Sequence, residues 1–202
     1  MSRLGAARRS ILMPITRTLT PTALAPAPPP RQTWTIYESP LGPLTLCGSA
    51  AALSRLEFPR RGPDRDEADR DPEAFRAAIT QLDEYFAGHR QEFDLPLALG
   101  GTAFQQRVWL QLRTIRFGTT TTYGTLADRL GRRDRIRAVG AAVGRTPVPI
   151  IVPCHRVLGA NGDLTGYGGG LQRKQALLEL EAAVSRGEPA PAVWKARQLS
   201  LV

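Results

Sequence analysis

Three prolines stand within the seven residues Pro147-Val148-Pro149-Ile150-Ile151-Val152-Pro153, and this run leads straight into Cys154-His155-Arg156-Val157. Proline has no amide proton and a fixed φ, so the stretch cannot lie inside a helix, and each residue before a proline is driven toward extended backbone. The β-branched content predicts a buried apolar strand that delivers a Cys-His pair at a position fixed by prolines. An ordinary thiol has a pKa near 8.5, so a nucleophilic cysteine needs a proton acceptor, and histidine is the usual one. Neighbouring residues on an extended chain point to opposite sides. Cys154 and His155 therefore cooperate only if the backbone turns sharply or a water bridges them. Taken as a bare pair, a structural cysteine beside a surface histidine is the default reading.

Upstream, Thr35-Ile36-Tyr37, Leu44-Thr45-Leu46-Cys47 and Leu53-Ser54-Arg55-Leu56 read as period-two strands around a Pro40/Gly42 turn, an antiparallel meander. Residues 59–71 form a charged loop. From Pro72, the spacing of Phe75, Ile79, Leu82 and Phe86 predicts a helix that ends at Gly88. A last strand is expected over 93–99, and Gly100-Gly101 marks a boundary.

The second half reads as mainly helical. Phe104, Val108 and Leu112 make one apolar stripe. A helix from Tyr123 to Leu130 is capped by Thr122 and stopped by Gly131. Another runs from Arg133 to Val143 with Ile136, Val139 and Val143 on its buried face. The pair fits a helix-turn-helix or an ordinary helical hairpin. Arg137-Ala138-Val139-Gly140-Ala141-Ala142 is unusually small-surfaced, which suits close approach to a narrow minor groove with Arg137 as the one long side chain. Leu158–Asp163 is a turn. Leu164-Thr165-Gly166-Tyr167 and three glycines, 168–170, follow as a loop whose amides can approach a ligand, and a final helix carries Leu171, Leu178 and Leu180.

Bulk properties set the outer bounds. The chain has 202 residues, 42% of them hydrophobic, enough for one medium domain or two small ones sharing a core. No apolar run approaches the roughly 20 residues of a membrane span, so a soluble protein is expected. The net charge of +9 is uneven: −5 over 32–100 but +7 over 101–181, with arginine far ahead of lysine. A basic face in the second half suits phosphate partners. Two cysteines and two histidines supply neither a disulfide scaffold nor a Cys-rich zinc site. Residues 1–31 hold five arginines, no acid and a Pro/Ala run. They read as disordered, either as an organelle transit peptide or as the product of a start codon placed ahead of Met13.

PCHRV at 153–157, preceded by RAVGAA at 137–142 and followed by LTGYGGGLQRK at 164–174, resembles the O6-alkylguanine-DNA alkyltransferases. The resemblance is strong from Gly101 to Glu181 and compatible over 32–100. It implies an α/β (α+β) fold: a small N-terminal antiparallel-sheet domain and a mainly helical C-terminal domain with a helix-turn-helix and a Gly-rich wing. The expected boundaries are a disordered extension 1–31, a small α/β domain 32–100, a DNA-binding alkyltransferase domain 101–185 and a tail 186–202.

By position, the resemblance makes Cys154 the alkyl acceptor. His155 takes its proton through a water, and Glu181 orients His155. Arg137 is the finger that fills the gap left by a flipped base. Tyr123 crowds the target phosphate and bonds the base, while Pro149, Val157, Tyr167 and Gly168 line the base pocket. It implies duplex DNA with alkylated bases as partner, gripped from the minor groove. It further implies single turnover, a monomer, no cofactor, no metal and no membrane. The expected location is cytoplasmic at a bacterial nucleoid, or nuclear in a eukaryote.

Two departures stand out: Thr146 where the family usually has Asn at the structural turn, and Gly168 where Ser is frequent. Thr146 can still make a weaker side-chain-to-backbone bond. The zinc ligands of some eukaryotic members cannot be supplied here. The alternative function is a non-catalytic protein that recognises and signals alkylated bases, against which Cys154 itself argues. A transcriptional regulator and a thiol hydrolase are the remaining rivals.

Overall fold

The computed structural model describes residues 31–58 and 65–191; the expectations for 1–30, for 192–202 and for the first part of the charged loop, 59–64, lie outside these residues. Strands β1 (Thr33–Ser39), β2 (Gly42–Ser49) and β3 (Ala52–Glu57) form the expected antiparallel meander, in the order β1-β2-β3. Strict alternation in β3 would send Leu53 and Leu56 to opposite faces. A register shift at Cys47/Gly48 corrects this, and both leucines are buried. The extra residue of a bulge reverses the facing of the residues beyond it. Gly48 makes it possible, because a Cβ there would lie 2.3 Å from the Ala52 carbonyl oxygen.

Helix α1 (Arg76–Phe86) follows a 3-10 turn at Glu73–Phe75 and lays Ala78, Leu82, Tyr85 and Phe86 into the core. The strand expected over 93–99 does not form. Leu53 donates to the Pro96 carbonyl and Ala98 donates to the Leu53 carbonyl, giving one parallel bridge at Leu97. Pro96 has no amide proton with which to extend a ladder.

In the second half, Thr102 and Gln105 form a reciprocal capping box at the start of α2 (Ala103–Leu112). Such a box satisfies two amides that the first helical turn leaves open. Trp109 donates from Nε1 to the Ala142 carbonyl at 2.9 Å. That bond fastens α2 to α4 (Ile136–Gly144). Thr122 caps α3 (Tyr123–Arg129) by accepting from the Thr125 amide, as expected. The preceding Thr121–Thr122 forms a short β4 parallel to β5 (Val157–Leu158), which ties the start of α3 to the Cys-His segment. Gly131, at φ +64, turns the chain between the two helices.

One expectation fails on α4: Ile136 is exposed, while Val139, Ala142 and Val143 are buried. The chain is in a 3-10 turn over Arg133–Arg135, so Ile136 is the first α-helical residue and stands at the free end. Helix α5 (Leu171–Ser185) is the expected final helix. Its buried face is Lys174, Leu177, Leu180 and Glu181, while Leu171 is exposed and Leu178 only partly covered.

The two halves share one core. Polar bonds also cross between them: Leu56 N–H to the Pro147 carbonyl, Arg173 Nε to the Leu41 carbonyl, and Tyr85 OH to Glu181. Among the described residues no helix is long and apolar enough to cross a membrane. Trp109 is 2% exposed, so Trp109→Ala should cost about 3–5 kcal/mol. The check is the urea unfolding midpoint.

Candidate active site

The proline-rich run is not the strand its composition predicts. Val152 donates back to the Val148 carbonyl at 2.9 Å, closing a turn. Ile150 sits at φ 75, the one non-glycine residue with positive φ among those described. A β-branched residue rarely adopts that conformation, and such an outlier costs about 1–3 kcal/mol. Ile150 is fully buried, so packing holds the strained turn in place. The turn reverses the chain and feeds Cys154–Arg156 into a 3-10 turn, with all three side chains buried.

Behind Cys154 lies a buried carboxylate. Glu181 Oε1 accepts from His155 Nε2 at 2.9 Å, Tyr85 OH at 2.8 Å and Arg156 Nη2 at 2.8 Å. Its Oε2 accepts from Arg156 Nε at 2.9 Å and from the Gly118 amide at 3.1 Å. Arg156 Nη1 donates to the Ile115 carbonyl at 2.6 Å. Burial opposes the charge on Glu181, but the bonds from His155 and Arg156 win and bring its pKa down to about 2.

The proton inventory then fixes the tautomer of His155. An ionised carboxylate only accepts, so Nε2 carries the proton that meets Glu181. Burial lowers the pKa of the imidazole and holds it neutral, and Arg156 and Lys174 act in the same direction against Glu181. Nδ1 is left with its lone pair, and it has no hydrogen-bond partner among the described residues. No hydrogen bond joins the side chains of Cys154 and His155.

Burial pushes the Cys154 thiol up to about 11, while Thr146, Lys174 and nearby backbone amides pull in the other direction. The Thr146 hydroxyl donates to the Val143 carbonyl at 2.7 Å, the side-chain-to-backbone bond expected of a threonine at this turn. Lys174 is wholly buried and donates to the Val157 carbonyl at 2.5 Å and the Thr165 carbonyl at 2.7 Å.

Cys154 opens onto a pocket of about 210 Å³ whose lining also includes Thr146, Pro149, Tyr167 and Gly168. The Tyr167 hydroxyl is buried without a partner among the described residues. Val157 is outside this lining and fully buried. Tyr123 stands at the edge, its hydroxyl 3.4 Å from the Thr165 carbonyl and its ring over Gly140. Arg137 is exposed on α4 and forms no hydrogen bond or ion pair among the described residues. Around it lie further arginines, some paired with acids: Arg133 with Asp128, and Arg132 and Arg135 with Asp134. Among the described residues no cluster of three or more His, Cys, Asp or Glu is arranged to hold a metal. Sequence reasoning missed Tyr85, Arg156 and Lys174, although Arg156 and Lys174 lie inside the quoted motifs.

Comparison with known proteins agrees with this geometry. Residues 33–99 match the family model for the 6-O-methylguanine DNA methyltransferase ribonuclease-like domain, and 103–183 match that for its DNA binding domain. The chain belongs to the 6-O-methylguanine DNA methyltransferase family. It is 54% identical over 146 residues to the methylated-DNA–protein-cysteine methyltransferase of Mycobacterium tuberculosis, covering 71% of this chain and 88% of that one. The enzyme of the same name from Methanosarcina acetivorans is 46% identical over 153 residues, 74% of this chain and 98% of the relative. The crystal structure of Mycobacterium tuberculosis OGT in complex with DNA superposes with a TM-score of 0.72 at 51% identity, over 79% of this chain and 96% of that one.

The Glu181 carboxyl predicts an acid limb. Its folded pKa of about 2 lies below the ordinary value, which is roughly 4.3 in an unfolded chain. The stability it adds is therefore present above that value and drains away as pH falls toward the folded one. Urea midpoints measured down this range should fall less steeply for Glu181→Gln than for the parent. Parallel slopes would show that Glu181 is not the group responsible.

Proposed function

We infer that this chain repairs DNA by taking the alkyl group from the O6 atom of an alkylated guanine onto Cys154, once per molecule, as a methylated-DNA–protein-cysteine S-methyltransferase. The observation that carries the reading is the buried line Cys154, His155, Glu181, with an unpartnered Nδ1 on the histidine and an ionised carboxylate behind it.

The chemistry balances without an added cofactor. Cys154 loses its proton through a water to His155 Nδ1, and Glu181 holds the ring and steadies the imidazolium. The sulfur attacks the alkyl carbon, forming an S–C bond as the C–O6 bond breaks. The electron pair goes to guanine, which takes up a proton. The thioether left on Cys154 is stable to water, so the protein is consumed.

DNA binding follows from the family. The partner is duplex DNA bearing alkylated bases, held by a monomer. The α3–α4 pair acts as a helix-turn-helix that enters the minor groove on its small-residue helix. Flipping the nucleotide costs roughly a few kcal/mol, and Arg137, exposed and uncommitted, fills the gap. Tyr123 meets the target phosphate. Pro149, Tyr167 and Gly168 receive the base, with Val157 behind them. Residues 32–100 and 101–185 work as one unit in the cytoplasm, on nucleoid DNA.

Incubation with a slight excess of duplex carrying one O6-methylguanine should raise the intact mass by one methyl group, about 14 Da, on the Cys154 thiolate. The gain should stop at one per chain and vanish in Cys154→Ala. Binding without any mass gain would favour the damage-recognition alternative. In single-turnover kinetics, His155→Ala should slow transfer by about 10²–10⁴-fold, the usual worth of a general base, with DNA affinity retained. An equal loss of affinity would mean the substitution had disturbed the fold instead.

A further inference from the structure

The pocket wall is not built from the second half alone. Leu56, Glu57 and Phe58, at the end of β3, line the same cavity as Cys154. Phe58 packs edge-on to Tyr167 at a centroid distance of 6.4 Å. The Arg173 guanidinium lies over the Phe58 ring, 4.6 Å from its centroid. Arg173 in turn donates from Nη1 to the Gly169 carbonyl and from Nε to the Leu41 carbonyl, both at 2.9 Å. Gly169 is pressed so closely against Phe58 that a Cβ there would stand 2.7 Å from the ring and 2.8 Å from Tyr167.

Elsewhere the loop is tied by the Gly170 amide to the Tyr167 carbonyl at 3.0 Å and by Lys174 to the Thr165 carbonyl at 2.7 Å. A Cβ at Gly168 or Gly170 would meet nothing within 4 Å, and the Tyr123 hydroxyl reaches the loop only at 3.4 Å and 3.5 Å. A glycine-rich loop has little conformational preference of its own. Between those ties, the Tyr167–Gly169 stretch of the pocket wall rests on the Phe58 ring.

We propose that Phe58, clamped by Arg173, is a specificity-determining residue of the alkyl-transfer reaction: it fixes the glycine wall of the pocket and thereby limits the size of the O6 substituent accepted. The proposal rests on the alkyl-transfer reading above. An aromatic ring supplied by the sheet holds the loop inward, so a small alkyl group fits beside the sulfur and a bulky one must displace the wall. Removing the ring lets the loop move into the space it leaves and enlarges the cavity. A larger ring presses the loop further in.

The test is single-turnover transfer by the full-length protein from two duplexes, one with O6-methylguanine and one with O6-benzylguanine. The readout is the ratio of the benzyl rate to the methyl rate. Phe58→Ala should raise this ratio by about tenfold or more, the discrimination that small size changes in an apolar pocket typically command. Phe58→Leu should raise it less and Phe58→Trp should lower it. The two milder variants keep the test alive if Phe58→Ala does not fold. A purely structural role would slow both substrates together and leave the ratio unmoved, and that result overturns the proposal. If the parent protein transfers neither group to Cys154, the alkyl-transfer reading fails first. If it transfers methyl and the ratio is unmoved in all three variants, only the role of Phe58 fails.

Discussion

A carboxylate with no access to water organises this molecule. Glu181 can stand in the interior as an anion only because hydrogen-bond donors converge on it from four directions: His155, Arg156, the phenol of Tyr85 and the amide of Gly118. Leaving any buried charge short of partners is strongly destabilising, so these donors are held where they are by the same interaction they satisfy. The consequence for the chemistry is a histidine with a defined tautomer and a bare nitrogen. The consequence for the fold is a bond between α1 and α5 that joins the sheet-bearing half to the half that carries Cys154.

Around that anion the strained and the permissive parts of the backbone divide the labour. Ile150 is forced into a left-handed conformation by a turn that prolines frame, and its buried side chain keeps it there. The glycine loop opposite is held instead by hydrogen bonds from Lys174 and Arg173 and by the Phe58 ring. One wall of the pocket is thus rigid by packing and the other by support, with the thiol between them. The high pKa of that thiol results from its burial, and the Lys174 charge and the Thr146 hydroxyl offset part of the rise.

Local signals carried far. The cap at Thr122, the α2 stripe and the meander were legible because their determinants lie within a few residues of each other. The family motif drew attention to Cys154, His155 and Glu181 together. What stayed hidden was pairing across distance. Tyr85 and Glu181 are separated by 96 positions, Arg173 and Leu41 by 132, and no periodicity links them. The bulge at Gly48 was also hidden, since a register shift is a property of two strands and not of one. Apolar composition misled over 147–153, where a strand pattern turned out to be a buried turn, and over 93–99, where one proline ended the ladder.

Lys174 is the one lysine among the described residues, and it is sealed in the interior with its amine bound to two carbonyls. The cationic outer surface of the described chain is therefore written entirely in guanidinium groups. Acylation of lysine, the common covalent route for cancelling positive charge on a protein, finds no exposed ε-amine there to act on. A label that reacts with amines would likewise leave that surface untouched.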